Sequence, residues 1–182
     1  MPRPYLKKRP YPCKDKSLNG WEALDDGWIK FNVDAAVSEN ATALTMVARN
    51  KKEEALKVWT KMHEWCSPLQ AEAITMIWAI QLALSKNLQH IIIEEDAKSC
   101  FDHLTIFESQ PNWSITTIIS NIHNLCKFFL NCNFSWVRRC CNTTTCEVAK
   151  YAIRFCRAFC FNKCSHPVVI ADTCKADSHR FY

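Results

Sequence analysis

The residues of this 182-residue chain best suited to chemistry are three carboxylates, Asp34, Glu72 and Asp96, and a set of soft ligands near the C-terminus. Each carboxylate also has an ordinary role available. Asp34 closes an apolar–polar alternation and can begin a turn. Glu72 lies early in a helix-like segment, where the helix dipole favours a negative charge, and Asp96 can cap the next helix. Grouped, carboxylates offer oxygen ligands to hard divalent cations. The charge pattern is uneven along the chain. Residues 1–16 carry six basic residues against Asp15 alone, a net charge of +5. Residues 17–137 carry nine basic and fourteen acidic residues, and residues 138–182 carry eight basic and three acidic. A mildly acidic body between two basic ends suits a polyanionic partner approached through metal ions. A solvated tail plus a charged helix face accounts for the same pattern.

The soft ligands are Cys156, Cys160, Cys164, His166, Cys174 and His179, part of a total of 12 cysteines. The first three step by four residues, which is one face of a helix, and no C-x-x-C pair occurs among them, so packing is the expectation rather than zinc. The N-terminus has no apolar secretory core, so the cysteines read as free, mostly buried thiols of an intracellular protein. Lys7-Lys8-Arg9 resembles a short nuclear import signal, leaving nucleus or cytoplasm as the expected compartment. The longest apolar stretch, residues 73–84, is interrupted by Thr75 and Gln81 and falls short of the ~20 residues a membrane helix needs. A soluble protein without membrane contact is expected. With 48% hydrophobic and 23% charged residues the chain reads as an ordinary globular domain, and 2 glycines exclude collagen-like repeats.

The elements that must position these groups follow from periodicity. Residues 1–27 read as an extended basic arm, rich in proline and ending in the turn-like Leu24-Asp25-Asp26-Gly27. Ile29, Phe31 and Val33 then alternate with Lys30, Asn32 and Asp34, which predicts a strand with one apolar face. Residues 42–49 and 55–62 are two more strand-like runs around a polar loop, and an antiparallel meander is the economical arrangement. Ser67, Pro68 and Gln70 supply the N-cap, first helical position and capping box of a helix over residues 68–86. Its buried residues should include Leu69, Ile77, Trp78, Ile80 and Leu84. A buried strand at 90–94, helices at 97–106 and 114–130, a strand at 133–138 and a last helix at 145–160 complete the pattern. The order is βββαβααβα: an α/β domain over residues 28–160, with a mixed five-stranded sheet and helices, and a loose tail at 161–182.

Taken in order, Phe31-Asn32-Val33-Asp34-Ala35-Ala36, Gln70-Ala71-Glu72-Ala73 and Ile93-Glu94-Glu95-Asp96-Ala97-Lys98 resemble the type 1 ribonuclease H (RNase H) domain, in its plant retrotransposon-derived, reverse-transcriptase-associated form. That family reads N-V-D-G-A, A-E-A and I-E-x-D-S on the same elements. Val137-Arg138-Arg139, Asn142 and Val148-Ala149-Lys150 are similar to its V-x-R-E-x-N-x-x-A-D-x-L-A-K. The resemblance covers residues 27–155 and implies an RNase H-like fold. It further implies a monomeric, metal-dependent endoribonuclease that cleaves the RNA strand of an RNA–DNA hybrid. Two cations, Mg²⁺ or Mn²⁺, would activate a water and stabilise the leaving alkoxide. By this resemblance Asp34, Glu72 and Asp96 are the catalytic residues and metal ligands. Arg138, Arg139 and Asn142, together with Lys7, Lys8 and Arg9 of the arm, are the nucleic-acid-binding residues.

The chain departs from the family at several positions. An ungapped match puts Thr145-Cys146 on the A-D pair, so Cys146 occupies the place of the fourth metal ligand. Glu147 takes that place if the loop slips by one residue, and Thr144 with Glu147 also reads as a capping box for the last helix. Trp136 replaces the family's His, Cys140 its Glu, and Ala35 the Gly after the first Asp, and no Gly marks the second strand near Thr45. A carboxylate triad without its supporting shell implies weakened catalysis. The alternative is a non-catalytic, nucleic-acid-binding relic of a retroelement RNase H domain.

Overall fold

A computed structural model of the protein describes residues 27–105 and 112–162. Strands β1 (Trp28–Val37), β2 (Ala41–Arg49) and β3 (Ala55–Glu64) form the antiparallel meander. They are followed by α1 (Pro68–Ser85), β4 (His90–Glu95), α2 (Lys98–Thr105), α3 (Trp113–Leu125), β5 (Asn131–Trp136), α4 (Thr143–Phe155) and β6 (Cys160–Asn162). The strand order is β5-β4-β1-β2-β3-β6, with β4 parallel to β1 and β5 parallel to β4. Parallel pairs require crossovers, and the helical segments between β3 and β4 and between β4 and β5 supply them. The hairpin between β2 and β3 closes locally. The Asn50 side chain accepts the backbone N–H groups of Lys52 (2.9 Å) and Glu54 (3.1 Å), and Glu53 takes the left-handed turn position.

Both faces of the sheet are covered. Phe31, Val33, Met46, Ile91 and Ile93 pack beneath α1, which turns Ala73, Met76, Ala79, Ile80 and Ala83 toward them. Small residues let that helix lie close to the sheet. Of the five residues expected to be buried, Ile80 is fully so, while Leu69, Ile77, Trp78 and Leu84 are half-buried around the core's rim. On the opposite face Val148 of α4 packs on Val47 and Val58. Beside them lies a buried polar network. Lys30 pairs with Glu53 and Glu94, and Asn32 donates to Glu94 (2.8 Å) and accepts from Arg49 (3.0 Å). The polar side of the β1 alternation therefore faces partners rather than solvent.

The helix entry that leads to Glu72 is built as the sequence predicts. Ser67 and Gln70 cap each other reciprocally around Pro68, with the Ser67 N–H donating to Gln70 Oε1 at 3.1 Å. Ser67→Ala is expected to lower stability by about 1 kcal/mol, the usual cost of losing such a cap. Urea denaturation reads this directly, and an unchanged midpoint would count against the cap.

Three boundaries differ from expectation. Helix α3 stops at Leu125 and passes into a 3₁₀ turn over Cys126–Phe128, so β5 starts at Asn131. Helix α4 ends at Phe155 because Cys156 adopts φ 47° and ψ 42°, a left-handed cap whose N–H turns back to the Ala152 and Ile153 carbonyls. The released chain reverses and adds β6 to the edge of β3, with Val58 opposite Phe161. The sheet thus has six strands among the described residues, one more than expected. The arm over residues 1–26 and the tail over 163–182 lie outside the described residues. Cys156 and Cys160, expected to pack on one helix face, lie beyond the end of α4 and are exposed and free, while Cys164, His166, Cys174 and His179 lie in that tail. Among the described residues no helix is long and apolar enough to cross a membrane.

Candidate active site

The notch that holds the carboxylates is created where two strands part. The ladder between β1 and β4 ends at Asn32 opposite Glu94, whereas the ladder between β1 and β2 continues past Asp34 opposite Thr45 to Val37. Asp34 therefore stands within β1, not at its end, but at the point where β4 has let go. Asp96 directly follows β4. The Trp136 indole N–H, in the place of the family's His, donates to the Asp96 carbonyl (3.0 Å), and the Val137 N–H donates to the Glu95 carbonyl (3.0 Å). From the other side, the start of α1 brings Glu72. The Asn142 amide donates to the Val33 carbonyl (2.8 Å) and ties the entrance of α4 to β1 beside Asp34.

The electrostatics show that these carboxylates share one environment. Asp34 is 5% exposed, and its carboxyl is pushed up to about 6, chiefly by burial and then by the charge of Asp96. The Ala35 N–H (2.9 Å), the Cys146 thiol and Arg139 pull the other way. Glu72 is held well above the usual carboxylate range by burial and then by the charges of Glu95, Asp34 and Asp96. Asp96 is raised by burial, with Arg139 opposing. A further carboxylate beside them, which the sequence did not single out, is Glu95: it is fully buried, interacts with Glu72 and is also held well above its usual range by burial. Just ahead of α2, Glu95 Oε1 accepts the Ala97 N–H (3.0 Å), and the Ala97 carbonyl accepts the Phe101 N–H, which puts Ala97 rather than the expected Asp96 at the N-cap position.

Of the two residues left open for the fourth position of the resemblance, Cys146 is the one that faces Asp34. Its thiol is buried, hydrogen-bonds Asp34, and receives an Arg139 guanidinium N–H at 3.7 Å. Burial and the Asp34 charge push the thiol up, so it is a neutral donor. Glu147 points to the surface, where it pairs with Lys150 at 2.7 Å. It forms no capping box, since the N-cap of α4 is Asn142. Asn142 itself is buried and acts as a tie between loop and strand rather than as an exposed contact. Arg138 and Arg139 are exposed on the turn beside the notch. Lys7, Lys8 and Arg9 lie outside the described residues.

Among the described residues no three His, Cys, Asp or Glu side chains converge closely enough to grip one ion as they are placed. The donor set on the α1 side nevertheless suits a hard cation. Glu72 Oε2, Glu95 Oε2 and Asp96 Oδ2 are buried without a hydrogen-bond partner, and a divalent charge would relieve their mutual repulsion. On the α4 side, a thiol and a guanidinium suit Mg²⁺ poorly.

The profile of the family described as reverse transcriptase-like matches residues 32–152. The chain belongs to the reverse transcriptase-like family. Solved structures show which fold this member has. An RNase H1 from the halophilic archaeon Halobacterium salinarum superposes with a TM-score of 0.66 at 17% identity, covering 70% of this chain and 98% of its own. The N-terminal RNase H domain of a Mycobacterium tuberculosis protein gives a TM-score of 0.61 at 14% identity, over 71% and 99% of the two chains. The compost-derived LC11-RNase H1, solved in complex with an RNA/DNA hybrid, gives 0.63 at 14%, over 70% and 98%. This reverse transcriptase-like chain thus has the RNase H fold. No curated protein sequence matches it significantly.

Proposed function

We propose that the chain is a nucleic-acid-binding RNase H-like domain that hydrolyses the RNA strand of RNA–DNA hybrids with a hard divalent cation, at a rate held down by Cys146. The observation that carries this reading is the gathering of Asp34, Glu72 and Asp96 in one notch, with buried carboxylate oxygens that lack donors. Asp34, Glu72 and Asp96 would hold Mg²⁺ or Mn²⁺, which when bound supplies positive charge for a leaving alkoxide and acidifies water. The chain's own groups prepare the place. Trp136 and Asn142 fix the two backbone segments that carry Asp96 and Asp34. Arg138 and Arg139 stand exposed beside the notch, where a phosphate backbone would be held, and the basic residues 1–16 would add affinity through counterion release. Discrimination of RNA would rest on the 2′-OH and on hybrid shape. The hybrid bound by LC11-RNase H1 supports this substrate class. We take the domain to act as a monomer in the nucleus or cytoplasm, of the retroelement-derived form that its motifs resemble.

A second reading, a non-catalytic nucleic-acid-binding relic, is favoured by one observation. A neutral thiol with a guanidinium beside it, rather than a carboxylate, partners Asp34 on the α4 side. A labelled RNA–DNA hybrid incubated with the protein in Mg²⁺ or Mn²⁺ separates the two readings. Metal-dependent shortening of the RNA strand, absent in Asp34→Asn, is the expected result. Hybrid binding with no cleavage in either metal would establish the relic, and neither binding nor cleavage would remove both readings.

A further inference from the structure

We propose that Glu95 is a fourth carboxylate of this site, a cation ligand on the α1 side, across from the α4 side where Cys146 leaves a carboxylate missing. The proposal rests on the hard-cation reading of the notch. It starts from the alternation of β4. Ile91 and Ile93 point into the core beneath α1, and the strand period places Glu95 on the same face. A third apolar residue would fill that position at no electrostatic cost. Instead a carboxylate sits there at 1% exposure, among the most unfavourable groups to bury unpaired. Among the described residues nothing forms an ion pair with it.

The groups that act on Glu95 are the carboxylates of Glu72, Asp34 and Asp96, with the buried Cys100 thiol nearby. Its role at the entrance to α2 uses one oxygen only, Oε1, which accepts the Ala97 N–H. Oε2 is enclosed, receives no donor, and belongs with the equally unpartnered Glu72 Oε2. The two glutamates hydrogen-bond each other through their side chains, and each keeps an enclosed Oε2 that receives no donor, so together they present a set of oxygen ligands facing one another. A hard divalent cation suits that set, because it takes several carboxylate oxygens at once and removes their repulsion. The carboxylate count of the site then returns to four, with Glu95 on the α1 side and Cys146 on the α4 side. The hydrogen bond from Ala97 alone would be served as well by a neutral amide.

Calorimetric titration of the full chain with Mn²⁺ tests the assignment, with melting curves recorded in chelator and in Mn²⁺. Glu95→Gln keeps an oxygen for the Ala97 N–H and loses the charge, and Glu95→Leu provides a second, apolar variant. Both should melt no lower than wild type in chelator, because a buried repulsion is gone. Both should bind Mn²⁺ at least ~10-fold more weakly, as should Glu72→Gln, with a correspondingly smaller Mn²⁺-induced rise in melting temperature. Wild-type Mn²⁺ affinity in Glu95→Gln, together with loss in Glu72→Gln, would overturn the assignment and leave Glu95 as the acceptor of the Ala97 N–H only. A wild-type chain that takes up no Mn²⁺ would overturn the cation reading of the notch, and this assignment with it.

Discussion

Asp34→Asn is expected to stabilise the metal-free protein at neutral pH by up to about 3 kcal/mol while removing hybrid cleavage altogether. Asp34 moves from an ordinary value of 3.8 to about 6 in the folded protein, chiefly through burial and secondly through Asp96. Each unit is worth about 1.4 kcal/mol, so the native state favours the protonated form by about 3 kcal/mol. The sign follows from where the proton binds more tightly. Below the unfolded value the contribution is fully present, and it is lost as pH rises through the folded value near 6. Glu72 and Glu95 are raised in the same direction and add to the loss. In chelator, wild-type stability should therefore fall between pH 4 and pH 7, and Asp34→Asn should flatten part of that fall. Saturating Mg²⁺ should restore the wild type at pH 7 far more than the variant. Urea melts at several pH values measure all of this. A variant less stable than wild type at pH 7, or a wild-type profile flat across the range, would show that the notch carries no stored repulsion.

Such repulsion is the physical signature that sequence patterns record poorly. The motif order singled out Asp34, Glu72 and Asp96, because each sits at a fixed place relative to a strand or helix that alternation and capping residues announce. Ser67, Pro68 and Gln70 announced α1, and Ile29, Phe31 and Val33 announced β1. Glu95 was not located. In the run Glu94-Glu95-Asp96 three adjacent acids look alike, and only the strand period separates them: Glu94 joins Lys30 and Asn32, while Glu95 follows Ile91 and Ile93 into the core. A glutamate in phase with isoleucines was the available signal. Cys146 and Glu147 were also left open. Neighbouring residues on a helix point about 100° apart, so only one of them can face Asp34 once the phase of α4 is known. The end of α4 was hidden for a different reason. Its left-handed cap is Cys156, not the glycine that normally marks such a stop, and the following strand β6 spans only Cys160–Asn162.

Cys146→Asp is expected to raise the rate of hybrid cleavage by roughly 10²–10³, the worth of one transition-state electrostatic interaction of a few kcal/mol. The thiol lies against Asp34 and receives Arg139, so a carboxylate placed there would meet Asp34 on the side where hard-oxygen ligands are missing. Thiols are soft and bind Mg²⁺ poorly, which is why wild-type activity should be low in Mg²⁺ and partly recovered in Mn²⁺. The substitution also adds a negative charge to a crowded site. Arg139 offsets some of it, yet the variant should be less stable than wild type in chelator and regain the difference when a divalent cation is present. The gain in rate and the cation-dependent recovery of stability must therefore appear together. Glu147→Gln provides the contrast, since Glu147 pairs with Lys150 at the surface and should leave cleavage unchanged. If Glu147→Gln abolished cleavage while Cys146→Asp did nothing, the entrance of α4 would have to shift by one residue in the working enzyme. If Cys146→Asp bound hybrid but stayed inactive in Mn²⁺, the missing ligand would not be what holds the rate down, and the relic reading would stand.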